Sequence, residues 1–252
     1  MIEICAIASG SNGNCYYIGN STDAVLIDAG ISCRQVLMRM AAKGLKKGRI
    51  KAILITHEHI DHCRGIGVLG NRLCAPVYMT ARTRNRMRAE RPENIQIFTP
   101  GDIITVGSLA IHSFLKRHDA VEPCGFRIEY DGVNVGVVTD LGSPCSRVKD
   151  QLLQCQALFL ESNYDEEMLW AGSYTHSLKK RIASKYGHLS NHQAAELLRE
   201  HHPGLQVVLL SHLSAENNRP EIALSAFEEL KSLFRIELTN RYAASEVFRI
   251  EN

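Results

Sequence analysis

The stretch Thr56-His57-Glu58-His59-Ile60-Asp61-His62, directly after the run Ile50-Lys51-Ala52-Ile53-Leu54-Ile55, constrains this chain more than any other part of it. The mostly apolar run reads as a buried strand. Imidazoles crowded beside a carboxylate at its end repel one another when protonated and pack poorly when neutral. Ordinary core or surface histidines therefore do not explain the cluster, and a metal site does. His57 and His59 alternate along an extended segment and can grip one ion. Asp61 and His62 can turn into the first turn of a helix and grip a second. Such a site needs further ligands from other strand ends.

The rest of the chain offers them. Apolar strands repeatedly stop at a small hydroxyl residue followed by a potential ligand, as in Thr56-His57, Thr139-Asp140 and Ser211-His212, with Ile27-Asp28 and Leu160-Glu161 close to the pattern. Strands are expected over 2–8, 15–18, 24–27, 75–79, 109–114, 125–130, 133–139, 157–160, 207–210 and 247–250. Asp131-Gly132 joins two of them as a hairpin, and Pro203-Gly204 turns the chain into a third. Ser32 caps a helix running to Gly44 with Val36, Leu37 and Met40 facing the core, and Ser190 with Gln193 forms a capping box. Short helices are expected over 64–72 and after Thr80, and one longer helix over 220–234. His118, in the loop after a strand, and His112, within that strand, both lie where another ligand could come from. The loop Ser9-Gly10-Ser11-Asn12-Gly13-Asn14 reads either as a hairpin connection or as backbone donors brought close to an anion.

With 252 residues, 45% of them hydrophobic, the chain can bury a large α/β core, and without a linker, low-complexity segment or repeat it reads as one domain over 1–252. The start, Met1-Ile2-Glu3-Ile4-Cys5, is strand-like and lacks the basic region of a signal peptide, and no apolar stretch approaches a membrane span. Eight scattered cysteines without a C-x-x-C pair suit reduced thiols in a cytoplasmic protein. A formal net charge of +2 attracts little nucleic acid by itself, so any such contact must come from a local patch. Arg82, Arg84, Arg86 and Arg88, with Arg91 just beyond, are a candidate for DNA contact, although spacing by two scatters them around a helix and suits a merely solvated face as well.

H-x-H-x-D-H after a strand resembles the signature of the metallo-β-lactamase fold superfamily, whose members use one or two metals to generate hydroxide for hydrolysis. The resemblance implies an α/β fold of the αββα sandwich type, two mixed sheets flanked by helices. It also implies two divalent ions (Zn, Mn or Fe), with His57, His59 and His118 on the first, Asp61, His62 and His212 on the second, Asp140 bridging them and Asp28 supporting from behind. Asp140 stands where lactam-cleaving members carry cysteine, which argues against that activity. The interval to His212 is too short for the inserted domain of the RNA-processing and DNA-crosslink-repair nucleases. The blocks S-G-S-N-G-N, H-D-A-V-E-P-C-G-F, T-D-L-G, G-H-L-S-N and L-S-H-L-S-A-E-N-N most closely resemble the bacterial YycJ (WalJ) family. That family implies a metal-dependent 5′-to-3′ exonuclease acting on DNA. Asp61 and Asp140 would take part in catalysis, and His188, Asn191, Ser11 and Asn12 would meet the scissile phosphate, with His188 also able to protonate the leaving oxygen. Competing readings are an RNA-processing enzyme similar to the transfer-RNA 3′-end endonucleases, a thioester or lactone hydrolase of the glyoxalase II type, and a nucleic-acid-binding module without catalysis. The sequence leaves the oligomeric state open.

Overall fold

The computed structural model describes residues 1–200 and 204–252. Among these residues the strands form two sheets of seven. The first holds β1 (Ile2–Ala8), β2 (Cys15–Gly19), β3 (Ala24–Ile27), β4 (Ile50–Leu54), β5 (Val77–Thr80), β6 (Ile95–Phe98) and the C-terminal β14 (Phe248–Ile250), which pairs with β1. The second holds β7 (Ile103–Val106), β8 (Leu109–Leu115), β9 (Cys124–Tyr130), β10 (Val133–Val138), β11 (Ala157–Glu161), β12 (Val207–Ser211) and β13 (Arg235–Leu238).

Each sheet is antiparallel at one side and parallel at the other. β3, β4, β5 and β6 run parallel, as do β10, β11, β12 and β13. Parallel strands are covered on both faces, which is why β11 and β12 are buried at every position instead of alternating. Between the sheets lies a core that includes Tyr16, Phe126, Phe159 and Leu209. α1 (Cys33–Ala42), α2 (Ile60–Cys63), α3 (Ile66–Leu73) and α4 (Ala81–Arg86) follow strands of the first sheet. Val36, Met40, Ile66 and Leu69 from α1 and α3 pack with Leu26 and Ile53 on that sheet's outer face. α5 (Ser146–Leu152), α6 (Glu166–Ala171), α7 (His176–Ile182), α8 (Asn191–Glu200) and α9 (Pro220–Ser225) follow strands of the second. The second sheet's outer face packs against Val148, Leu152, Leu197 and Leu198 of α5 and α8. Helix, sheet, sheet and helix thus form the αββα sandwich.

Local chemistry explains most boundaries. Ser32 accepts from the Gln35 amide to start α1, and Gly44 takes φ +70° just past its end. Asp131 and Gly132 both have positive φ, as a type I′ hairpin requires. Ser190 and Gln193 bond reciprocally as a capping box. Gly204 has φ +82°, whereas Pro203 lies outside the described residues.

Three expectations need correction. The helix expected over 64–72 is α3 over 66–73, which starts two residues later with Gly65 as its N-cap, where a Cβ would lie 2.1 Å from the Ile31 carbonyl. The arginine-bearing helix ends at Arg86, since Met87 turns extended at φ −60°, ψ 130°, so Arg88 is not on it, while Arg91 lies beyond it as expected. The segment 220–234 is α9 and a 3₁₀ turn over Glu228–Ser232, followed by β13, which the sequence reading missed. Among the described residues no helix is long and apolar enough to cross a membrane.

Candidate metal centre

Register brings the chemistry to one edge. In the second sheet Val138, Leu160 and Leu210 are cross-strand neighbours, so Asp140, Glu161 and His212 follow them at the same end. In the first, Ile27 pairs with Leu54, and Asp28 and His57 follow. The backbone bends sharply there: Asp28, Asp140 and His212 all have positive φ, at 64°, 53° and 58°. Non-glycine residues rarely adopt that region, and such strain gathers where a site demands a side chain in one direction. Gly30 lets α2 come close: its N–H bonds Asn14, and a Cβ there would lie 1.6 Å from the Asp61 carbonyl.

The histidines are oriented from outside. Asp28 is fully buried and accepts from Thr56 N–H at 2.8 Å and from His62 Nδ1 at 2.7 Å. His57 Nδ1 lies 2.9 Å from Thr56 Oγ1, whose own proton is drawn to Asp28. His118 Nδ1 donates to the Gly187 carbonyl at 3.0 Å. His212 Nδ1 donates to Glu161 Oε1 at 3.1 Å. Each outward nitrogen thereby holds a hydrogen, so each Nε2 presents a lone pair inward once it has no proton of its own.

Those Nε2 atoms lie close to other possible ligand atoms. His57 Nε2 is 3.0 Å from His59 Nδ1, and His118 Nε2 is 3.3 Å from the same atom. Asp61 Oδ2 lies 3.4 Å from Nε2 of both His62 and His212. Asp140 stands between the two groups, Oδ2 at 3.1 Å from His62 Nε2 and Oδ1 at 3.7 Å from His118 Nε2 and 3.6 Å from His212 Nε2. Its Oδ2 is buried and, among the described residues, receives no hydrogen bond of acceptable geometry. A buried carboxylate oxygen left in this way, among converging acceptors, is what a cation resolves. The ligand atoms of His57, His59 and His118, and those of Asp61, His62 and His212, lie within 4.8 Å of one another in each group. The donor set of neutral imidazole and carboxylate fits a divalent metal.

Electrostatics point the same way. Burial drives the His57 and His118 imidazoles down, the latter to about 4, so both are neutral and able to ligate. Burial also opposes charge on Asp61 and Asp140, but neighbouring His62 and His212 hold both carboxyls well below the usual range. Burial disfavours the cationic form of His212 too, yet Asp140, Asp61 and Glu161 outweigh it and raise the imidazole to about 10. Without a metal, protons on the histidines thus balance the carboxylates, and metal binding releases them.

Glu161 was not assigned a role from the sequence, although its strand-end position was visible there. Fully buried, it accepts from five donors: Oε1 from the Asp140 amide, His188 Nδ1 and His212 Nδ1, and Oε2 from the Leu141 and Leu189 amides. Burial works against its charge, but His188 and its other donors hold it at about 2. Asn14 was also missed. Its amide nitrogen is 3.2 Å from His62 Nε2 and 3.4 Å from Asp61 Oδ2, while its backbone N–H bonds the Asp61 carbonyl. The glycine-rich loop therefore braces Asp61.

Other candidates fall differently. His188 lies beside the cluster with its side chain 20% exposed and Nδ1 held 2.8 Å from Glu161. His112 remains on β8, 3.0 Å from Glu129. Asn191 is buried, its Oδ1 accepting from Ser162 Oγ and Asn218 Nδ2 and its Nδ2 donating to Asn218 Oδ1. Ser11 and Asn12 are exposed on their loop, and Asn12 accepts from Arg241 at 3.4 Å.

Sheet order, strand-end residues and acceptor cluster together define a class, and the chain belongs to the β-lactamase superfamily: the family model described as "Beta-lactamase superfamily domain" matches residues 23–213. It is a metal-dependent hydrolase of that superfamily. The chain is 35% identical over 227 residues to exodeoxyribonuclease YycJ of Bacillus anthracis, spanning 88% of this chain and 86% of the relative. It is 36% identical over 224 residues to exodeoxyribonuclease WalJ of Streptococcus pneumoniae, spanning 86% and 83%. Among solved structures, the metallo-β-lactamase fold protein YhfI of Bacillus subtilis matches with a TM-score of 0.71 at 17% identity, over 97% of this chain and 98% of that one.

Proposed function

We propose that this chain is a 5′-to-3′ DNA exonuclease using two divalent ions, zinc, manganese or iron according to supply. The observation that carries the reading is the pair of acceptor groups that meet at Asp140. Sequence similarity to the two exodeoxyribonucleases supports DNA as the substrate. His57, His59 and His118 would hold one ion, Asp61, His62 and His212 the other, with Asp140 between them. Bound there, divalent ions supply charge neutralisation at the phosphate oxygens and acidify the attacking water. We also propose that residues 1–252 act as one domain, in the cytoplasm, where eight unpaired cysteines are kept reduced.

The chain's own residues divide the remaining work. Asp28, Thr56, the Gly187 carbonyl and Glu161 fix the imidazoles in the tautomer that points a lone pair inward. Fixed donors and acceptors need no reorganisation as charge moves, which is where much of the rate advantage of such sites comes from. Glu161 also holds His188 by Nδ1, leaving Nε2 to hand a proton to the oxygen that departs from phosphorus.

Duplex DNA labelled at either 5′ or 3′ ends, incubated with metal-loaded protein, tests the reading. Labelled mononucleotide should appear at once from the 5′-labelled strand and late from the 3′-labelled one. His188→Gln should retain its metal and lose about 10²-fold or more in kcat, the usual weight of a general acid. Intact DNA in both cases, with a thioester cleaved by the same preparation, would move the site to carbonyl chemistry.

A further inference from the structure

Two cavities touch the acceptor cluster at different residues, and their linings differ. One of about 730 Å³ meets it at His59 and is otherwise lined by Glu58, Ile60, Asn85, Arg86, Met87 and Arg88. It is polar, basic and roomy, as suits a phosphodiester backbone that continues beyond the site. The other, about 210 Å³, meets the cluster at His188 and is walled by Tyr174, Leu178 and Ile182, with Asp119 and Arg181 also lining it. Its volume falls below the roughly 300 Å³ at which pockets accept drug-sized ligands, so it has room for one small ring system.

The small cavity is a built feature. Gly187, whose carbonyl orients His118, is one of its lining residues. A Cβ at Gly187 would lie 2.0 Å from the Ile182 carbonyl and 2.3 Å from that of Arg181, so glycine lets the end of α7 close against the site. Asp119 Oδ2 holds Arg181 Nε at 2.5 Å, while Oδ1 is 3.3 Å from His118 Nε2. Arg181 is thus tethered beside the cluster although its side chain is 61% exposed. An aromatic ring and two aliphatic side chains, with a tethered guanidinium nearby, match a nucleobase joined to an anion.

Resting on the exonuclease reading, we infer that this cavity binds the terminal nucleotide that is released, its base against Tyr174, Leu178 and Ile182 and its phosphate at Arg181. His188 then lies between that nucleotide and the scissile phosphorus, on the side of the departing oxygen. The cavity has room for the terminal base, with Arg181 at its wall for the phosphate, and none for a continuing strand, so it selects chain ends.

The test compares two oligonucleotides that differ in whether the terminal residue carries its base. Wild-type protein should cleave the intact end with kcat/KM about tenfold above the abasic one, a difference carried by KM and equal to about 1.4 kcal/mol. In Tyr174→Ala that ratio should fall to about one, whereas Tyr174→Phe, which keeps the ring, should preserve it. If wild-type protein cleaves both and the ratio is unchanged in Tyr174→Ala, the cavity does not read the base and the inference is overturned alone. If wild-type protein cleaves neither, the exonuclease reading falls and takes the inference with it.

Discussion

Glu161 shows how much one buried side chain can organise. Five donors converge on its carboxylate, two of them the outward nitrogens of His188 and His212. Glutamine at 161 would set an NH₂ against some of these donors while keeping the shape, so Glu161→Gln should weaken metal binding and slow turnover together. The pH dependence follows from sign. The folded carboxyl, at about 2, lies below its ordinary value of 4.5, so its stabilisation is complete above pH 4.5 and is lost as pH falls through 2. That interval corresponds to about 3 kcal/mol. Metal-free wild-type protein should therefore lose urea resistance between pH 6 and pH 3, and Glu161→Gln should start lower and lose less over the same range. Parallel losses in the two proteins would remove Glu161 from that role. His212 runs oppositely: raised to about 10, its contribution is complete below its ordinary 6.5 and is lost as pH rises through 10.

At the scale of elements, what the sequence made legible was the strand end. Thr56-His57, Thr139-Asp140 and Ser211-His212 stood out because a strand whose last residues are all buried must change character abruptly where it leaves the core. The short edge strands β6 and β7, with half or more of their residues in contact with solvent, carry too weak a pattern to be read locally. β13 was hidden because Ile236 and Leu238 continue an apolar rhythm begun in α9, and only pairing with β12 decides their state. The arginines behaved in between. Ending α4 at Arg86 breaks their helical spacing, yet Arg86 and Arg88 both line the large cavity. Arg86→Glu with Arg88→Glu should weaken DNA binding at least tenfold and flatten its dependence on salt, measured as the slope of log affinity against log salt. An unchanged slope would leave these arginines merely solvated.

Across the whole molecule, the candidate centre is shared between the sheets. Asp28, His57, His59, Asp61 and His62 follow β3 and β4 of the first, while His118, Asp140 and His212 follow β8, β10 and β12 of the second and Glu161 ends its β11. Neither sheet alone supplies both acceptor groups, so packing of the sheets and completion of the candidate site are one event. The superfamily resemblance anticipated this architecture because its ligands are dispersed over the chain in a fixed order. The bracing by Glu161 and Asn14 stayed out of reach, since polar groups that support a ligand from behind have no spacing rule. The most direct test adds manganese stepwise to metal-stripped protein while bound metal and released 5′-mononucleotides are followed together. Release should begin only with bound metal, reach its maximum near two ions per chain, and be absent in Asp140→Ala, which should bind fewer ions. Release from stripped protein, or an undiminished rate and metal content in Asp140→Ala, would contradict the account.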